Sequence, residues 1–301
     1  MIDTTLAQRY FAKQKPEKIV FLENVMKRPG MKDLSYADDG CVLAWKKETT
    51  VFVGTTGKTV KAPEDIGFLF SNLGTLKEID ANKLDTSQVK DMRYLFYDDR
   101  NLERAHIEDW NTENAKSMCC TFAYCTSLKK LDLHKWDVSN VTIMTGMFCT
   151  GDNYVGNGEL ETLDIHSWNT SSLTKADSMF YGCGKLKALD VENWNMSKVV
   201  TVNHMFADCF SLESLDVSKW DMSHCKDFDA IFNDCHSLQV INVSKWDFSS
   251  AERMSQMFER CTSVHSIHVR IDTVQKCNDF EELTNGTNLK GDLLSHELIN
   301  R

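Results

Sequence analysis

The chain has 301 residues, 42% of them hydrophobic and 26% charged, with a net charge of −10. This composition excludes a mainly disordered chain, and the acidity argues against general nucleic-acid binding, which needs a basic footprint. No run approaches the roughly 18–20 consecutive apolar residues of a membrane-spanning helix.

The first segment differs from the rest. Residues 1–62 carry 11 Lys and Arg against 7 Asp and Glu, so the remainder holds the whole acidic excess. All three prolines, Pro16, Pro29 and Pro63, lie in the first 63 residues. Met1 to Arg9 shows no basic stretch leading into an apolar core, so no signal peptide is expected and the expected compartment is the cytoplasm. Residues 3–14 and 17–28 read as two short helices: Leu6, Tyr10 and Phe11 mark the first, and Ile19, Leu22, Val25 and Met26 mark the second. Residues 41–45 and 50–54 read as a hairpin placed to cap a repeat array.

That array begins at residue 63. Tryptophans stand at 110, 136, 168, 194, 220 and 246, and the spacing is 26 except between Trp136 and Trp168. Leu84 opens the same phrase one period earlier. Before each anchor, apolar columns alternate, as in Leu128-x-x-Leu131-x-Leu133-x-x-Trp136, which predicts a short strand with one buried face. After the anchor, Met92, Met118 and Met144 stand at +8, Met147 and Met179 at +11, Phe96 to Phe258 at +12, and Cys125 to Cys261 at +15. Offsets 8, 11, 12 and 15 are i, i+3, i+4 and i+7, which predicts a short helix. Asp or Asn at +1 and Ser at +3 predict a polar turn that caps it. The expected fold is therefore an α/β repeat solenoid, a leucine-rich-repeat-like stack of short parallel strands and short helices with terminal caps. Its parts are 1–62, an array of about seven repeats over 63–272, and a C-terminal cap over 273–301, where Asp272 replaces Trp and the phrase decays.

The phrase from Ser127 to Thr142 and the Met257-Phe258-Glu259-Arg260-Cys261 segment resemble the BspA-like leucine-rich repeat proteins. Trp45 to Phe70 resembles the lead-in of that family. The resemblance covers roughly residues 40–270 and implies a surface protein that adheres to host proteins or to other bacteria.

Weighed residue by residue, most of the regular columns belong to a core. The Cys column reads as small buried hydrophobes, because a thiol reacts only as an activated thiolate. Free thiols are expected there, with Cys209→Ser costlier than Cys209→Ala for want of a partner. Cys119, Cys120 and Cys225 lie off the column. The Asp column four residues before each anchor (Asp80, Asp132, Asp164, Asp190, Asp216) faces outward between two buried residues. Like charges opposite one another on neighbouring strands destabilise, so something offsets them. Lys130, Lys135 and Lys219, hydrogen bonds to turns, and cations are the candidates, with no metal site or cofactor assigned. His134 and His166 share the column two before the anchor, and no catalytic signature accompanies them. The extra residues near 150–158 form a loop carrying Tyr154.

The expected function is a non-enzymatic protein-binding module with an elongated acidic surface, using Asp132, His134, Asp164, His166, Asp190, Asp216 and Tyr154. Its expected partner is a protein, with neither nucleic acid nor a membrane span. The alternatives are a virion-tail or exported surface adhesin that binds glycan or host protein, and a thiol- or histidine-dependent hydrolase.

Overall fold

The computed structural model describes residues 1–37, 39–152, 155–156 and 158–268. The expected C-terminal cap, Val269, Asp272 and Tyr154 lie outside them.

Helix α1 spans Thr4–Gln14. Asp3 caps it by accepting the Leu6 N–H at 2.8 Å, and Lys15 ends it in the left-handed region. Ala7 and Phe11 pack inward from it. The second expected helix does not form. Residues 18–22 are instead strand β1 (Lys18–Leu22), and the run Ile19-Val20-Phe21 explains why: branched and aromatic side chains fit a pleated surface. Ile19 and Phe21 are buried while their neighbours are half-exposed, an alternation of period two.

The remaining strands are β2 (Lys32–Asp33), β3 (Val42–Lys47), β4 (Thr50–Thr55), β5 (Val60–Lys61), β6 (Glu78–Asp80), β7 (Leu84–Asp85), β8 (Arg104–His106), β9 (Lys130–Asp132), β10 (Gly151–Asp152), β11 (Val155–Gly156), β12 (Thr162–Asp164), β13 (Val240–Asn242) and β14 (Ser266–His268). β3 and β4 form the antiparallel hairpin, and β1 lies parallel to both β4 and β6. The first segment and the first repeats thus share one mixed sheet, ordered β2-β3-β4-β1-β6-β8. Further along, repeats meet in parallel at β9/β12 and β13/β14, and by single bridges such as Ala188↔Ser214. The insertion adds the small antiparallel pair β10/β11.

The α/β expectation is overturned after the anchors. Among the described residues α1 is the only α-helix; helix makes up 4% and strand 21%. The predicted helical stripe is a run of consecutive turns. Met92, Tyr94, Phe96 and Asp98 donate their N–H groups to the carbonyls of Ser117, Cys119, Thr121 and Ala123 in the next repeat, at 2.8–3.0 Å. The N–H groups of Tyr97 and Asp99 fold back to Tyr94 and Phe96. Tyr94 and Asp98 have positive φ, and the same pair of places recurs at Cys120 and Tyr124, His204 and Asp208, Ala230 and Asp234, and Gln256 and Arg260. A helix satisfies its N–H groups within the segment at negative φ; here half of them serve the neighbouring repeat. A turn period of four residues also places i with i+4 and i+3 with i+7 on one side, so the apolar pattern fits either backbone.

The buried columns stack between repeats. Phe70, Phe96, Phe122, Phe148, Phe180, Phe206, Phe232 and Phe258 form one file with ring centroids 5.2–5.9 Å apart. Offset stacks of this kind add about 0.5–1.5 kcal/mol per pair beyond area burial. The indoles of Trp110, Trp136, Trp168, Trp220 and Trp246 donate to carbonyls of the preceding repeat at 2.8–3.1 Å, whereas the Trp194 indole N–H has no hydrogen-bond partner. The Cys column has a partner too. Cys125, Cys183, Cys209, Cys235 and Cys261 direct Sγ to the carbonyls of Phe96, Phe148, Phe180, Phe206 and Phe232 at 2.9–3.3 Å. The expectation that this position lacks an acceptor is therefore corrected.

Candidate functional site

The outward column appears where the alternation predicts. Leu131 and Leu163 are buried, and Lys130, Asp132, Thr162 and Asp164 on either side are exposed. β9 and β12 pair so that Asp132 stands directly opposite Asp164. Two residues on, His134 and His166 stack with centroids 6.0 Å apart and planes 13° from parallel. Each imidazole reaches back to the carboxylate of its own repeat. His134 Nδ1 lies 2.5 Å from Asp132 Oδ1, and His166 Nδ1 lies 2.6 Å from Asp164 Oδ1. The two Asp–His pairs thus form a four-residue patch at the ends of adjacent strands.

Titration follows from these contacts. Partial burial works to raise the Asp132 pKa, but bonds from the His134 side chain and backbone N–H outweigh it and hold the carboxyl below its usual range. The hydrogen bond to Asp164, and then the charge of that carboxylate, raise His166 above the ordinary imidazole value.

The lysines proposed to offset the column pair elsewhere or stand apart. Lys135 binds Asp109 at 2.7 Å and Lys219 binds Glu192 at 2.5 Å. The closest compensation is local: Asp132, Asp216 and Asn242 each accept the N–H two residues on, at 2.9–3.2 Å. The +1 column does the same, as with Asp137 to Ser139 and Asp221 to Ser223, so it closes turns where a helix cap was expected.

Two depressions open on this face. The first, about 1090 Å³, includes Arg104, Lys129, Lys130, Asp132, Glu159 and Asp164 in its wall and carries both signs of charge. The second, about 750 Å³, is walled by Asp190, Glu192, Glu213 and Asp216 around Leu215 and Val240, with no cationic side chain in the wall. Val240 is 42% exposed, an apolar group left in the open. Asp132 and Asp164 therefore belong to one depression, Asp190 and Asp216 to the other.

A separate feature was not assigned from sequence. Cys119 and Cys120 hold their sulfurs 3.6 Å apart beside Tyr94. The Cys120 contact, with help from Tyr94 and the Arg93 charge, lowers the Cys119 thiol to about 7, while the same contact raises Cys120. Phe68, Tyr94, Tyr97 and Tyr124 make a chain of ring contacts in the turn segments, and Arg100 lies over Tyr124. These residues sit at the variable +10, +13 and +14 places, which carry no apolar regularity for a sequence reading to find.

Compared with known proteins, residues 64–160 and 153–270 match the family described as "Mycoplasma protein of unknown function, DUF285". The chain belongs to this family. No curated protein and no solved structure matches it. The family match begins at the first repeat and runs through β14, so it covers both depressions and the Asp–His patch. Among the described residues, no helix is long and apolar enough to cross a membrane.

Proposed function

We propose that the chain is a non-enzymatic binding module that holds a protein partner against the outward face of its repeats. The second depression carries this reading. Four carboxylates surround exposed Val240 and half-buried Leu215 with no cation in the wall, which complements a partner segment presenting Lys or Arg beside an apolar residue. Lys219 neutralises Glu192, which leaves Asp190, Glu213 and Asp216 as the attractive charges. The BspA-like resemblance supports an adhesive role of this kind at a cell surface, and the family match is compatible with it.

The test is capture of partners by the wild-type chain and by an Asp190→Lys/Asp216→Lys variant, with a second variant reversed at Asp164. Loss of capture in the first and retention in the second supports contact at the second depression. Unchanged capture in both sinks this face as the binding surface. Genes neighbouring the coding sequence separate an adhesin or virion component from an internal one.

A further inference from the structure

We propose that Asp132, His134, Asp164 and His166 form a binding site for one divalent transition-metal ion of the zinc, nickel or cobalt type. The site stands apart from the partner-binding reading, because Asp190 and Asp216 contribute nothing to it.

The first observation is register. Parallel pairing of β9 with β12 sets Asp132 against Asp164, and in the turns just beyond, His134 stacks on His166. In these two columns Asp-x-His occurs at these neighbouring repeats alone; the corresponding pairs elsewhere include Asp80 with Asn82, His106 with Glu108, Asp190 with Glu192, and Asp216 with Ser218, while Asp234-x-His236 lies in the turn segment of another repeat. Two carboxylates on paired strands and two imidazoles in the turns just beyond them therefore meet along these columns once.

The second observation is distance. Donor atoms of Asp132, His134 and Asp164 all lie within 4.8 Å of one another. Ligands around a tetrahedral zinc-type ion bind at about 2.0–2.2 Å, so their atoms stand about 3.3–3.6 Å apart. To reach that spacing the 2.5 Å His134–Asp132 contact opens and the widest pair of donors closes. His166, whose Nδ1 is 2.6 Å from Asp164 Oδ1, lies outside that three-residue group and joins it as the fourth donor by rotation of its side chain.

The third is charge. Asp132 and Asp164 stand directly opposite one another on paired strands, where like charges repel, and Lys135 pairs with Asp109. A dication bound between the two carboxylates removes that repulsion. Imidazole with carboxylate selects zinc, nickel, copper or cobalt over magnesium and calcium, which take oxygen alone. The site is on the surface, so water completes the coordination.

Cobalt titration of the intact chain tests this. The expected result is one equivalent bound with visible ligand-field absorption and without a thiolate-to-cobalt charge-transfer band. His134→Ala and His166→Ala should each weaken binding by about tenfold or more, while His224→Ala leaves it unchanged. Metal should also raise the melting temperature of the wild type and not of the double variant His134→Ala/His166→Ala, whose unliganded fold is checked by its circular dichroism. Three outcomes overturn the site: no cobalt bound, binding unchanged in the double variant, or a thiolate band that moves the ion to the cysteines. Capture of a protein partner is read in a separate assay, so either proposal can fail alone.

Discussion

Asp99 occupies the place that Cys holds in later repeats, 15 residues after Leu84. It is fully buried. Its Oδ1 accepts the Leu73 N–H at 2.6 Å, and its Oδ2 has no hydrogen-bond partner. Burial, with the charge of Asp98 adding to it, pushes the carboxyl well above its ordinary value despite the Leu73 bond. The folded state then keeps a proton that the unfolded chain releases near pH 4. Stability falls as pH rises from the unfolded value to the folded one, by about 1.4 kcal/mol per pH unit, and levels off above the folded value. Asp99→Asn keeps an acceptor for Leu73 N–H and removes the titration. Relative to wild type it should gain about 1.4 kcal/mol per pH unit across that window, roughly 2 °C of melting temperature in a chain of this size. Urea or thermal unfolding of both proteins from pH 4 to 7 measures the difference, in which other titrating groups cancel. A difference that stays constant with pH would refute the buried neutral carboxyl.

Trp220→Phe should cost about 1 kcal/mol more than Trp194→Phe, because only the Trp220 indole donates to a carbonyl, that of Val191 at 2.9 Å; chemical denaturation of the two variants checks the ranking. Cys209→Ala should cost about 1–2 kcal/mol from lost sulfur contacts and a small void, and Cys209→Ser no more than that, since a hydroxyl finds the Phe180 carbonyl; a much larger loss for Ser would contradict the contact. Iodoacetamide should label Cys119 before the other cysteines of the folded chain, with a rate that rises around pH 7, as peptide mass spectrometry would show. NMR titration should find His166 above the ordinary imidazole value, and Asp164→Asn should return it. The raised value makes the His166–Asp164 contribution present below the unfolded imidazole pKa and lost as pH rises through the folded one.

The repeat was legible because stacking imposes the same demand on every 26-residue unit. The buried Leu, Phe, Trp and Cys columns stand where the spacing puts them. The backbone that carries the +8 to +15 columns was not legible. Its apolar offsets satisfy both 3.6-residue and four-residue periods, and the deciding feature, N–H groups shared with a neighbouring repeat, has no side-chain signature. Positive φ at Tyr94, Cys120, Tyr124 and His204 makes this sharper, since none of these residue types advertises a left-handed place as Gly does. The helix expected over 17–28 failed for a different reason: Ile19, Leu22, Val25 and Met26 fit a helical stripe, but Ile19 and Phe21 also fit a strand, and long-range pairing with β4 and β6 decided between them.

The site was legible in part, and the limit has a physical origin. A single period placed Asp132 beside Asp164 and His134 beside His166, because repeat number alone fixes neighbours across a parallel register. It did not reveal that each histidine turns back on the aspartate of its own repeat, a choice made by side-chain rotamers within three residues. Nor did it separate the face into two depressions. That division comes from the charges at one outward column: Arg104 and Lys130 stand in the wall of the first, while Ala188, Ser214 and Val240 take the equivalent places in the second, where Lys219 pairs with Glu192. The array thus repeats its core and varies its outward columns, so a constant backbone ladder presents chemically distinct surfaces a few repeats apart. The proposed metal capture at the Asp–His pair and the proposed attraction of a basic partner at Asp190 and Asp216 can therefore be tested one at a time without touching the buried columns that hold the repeats together.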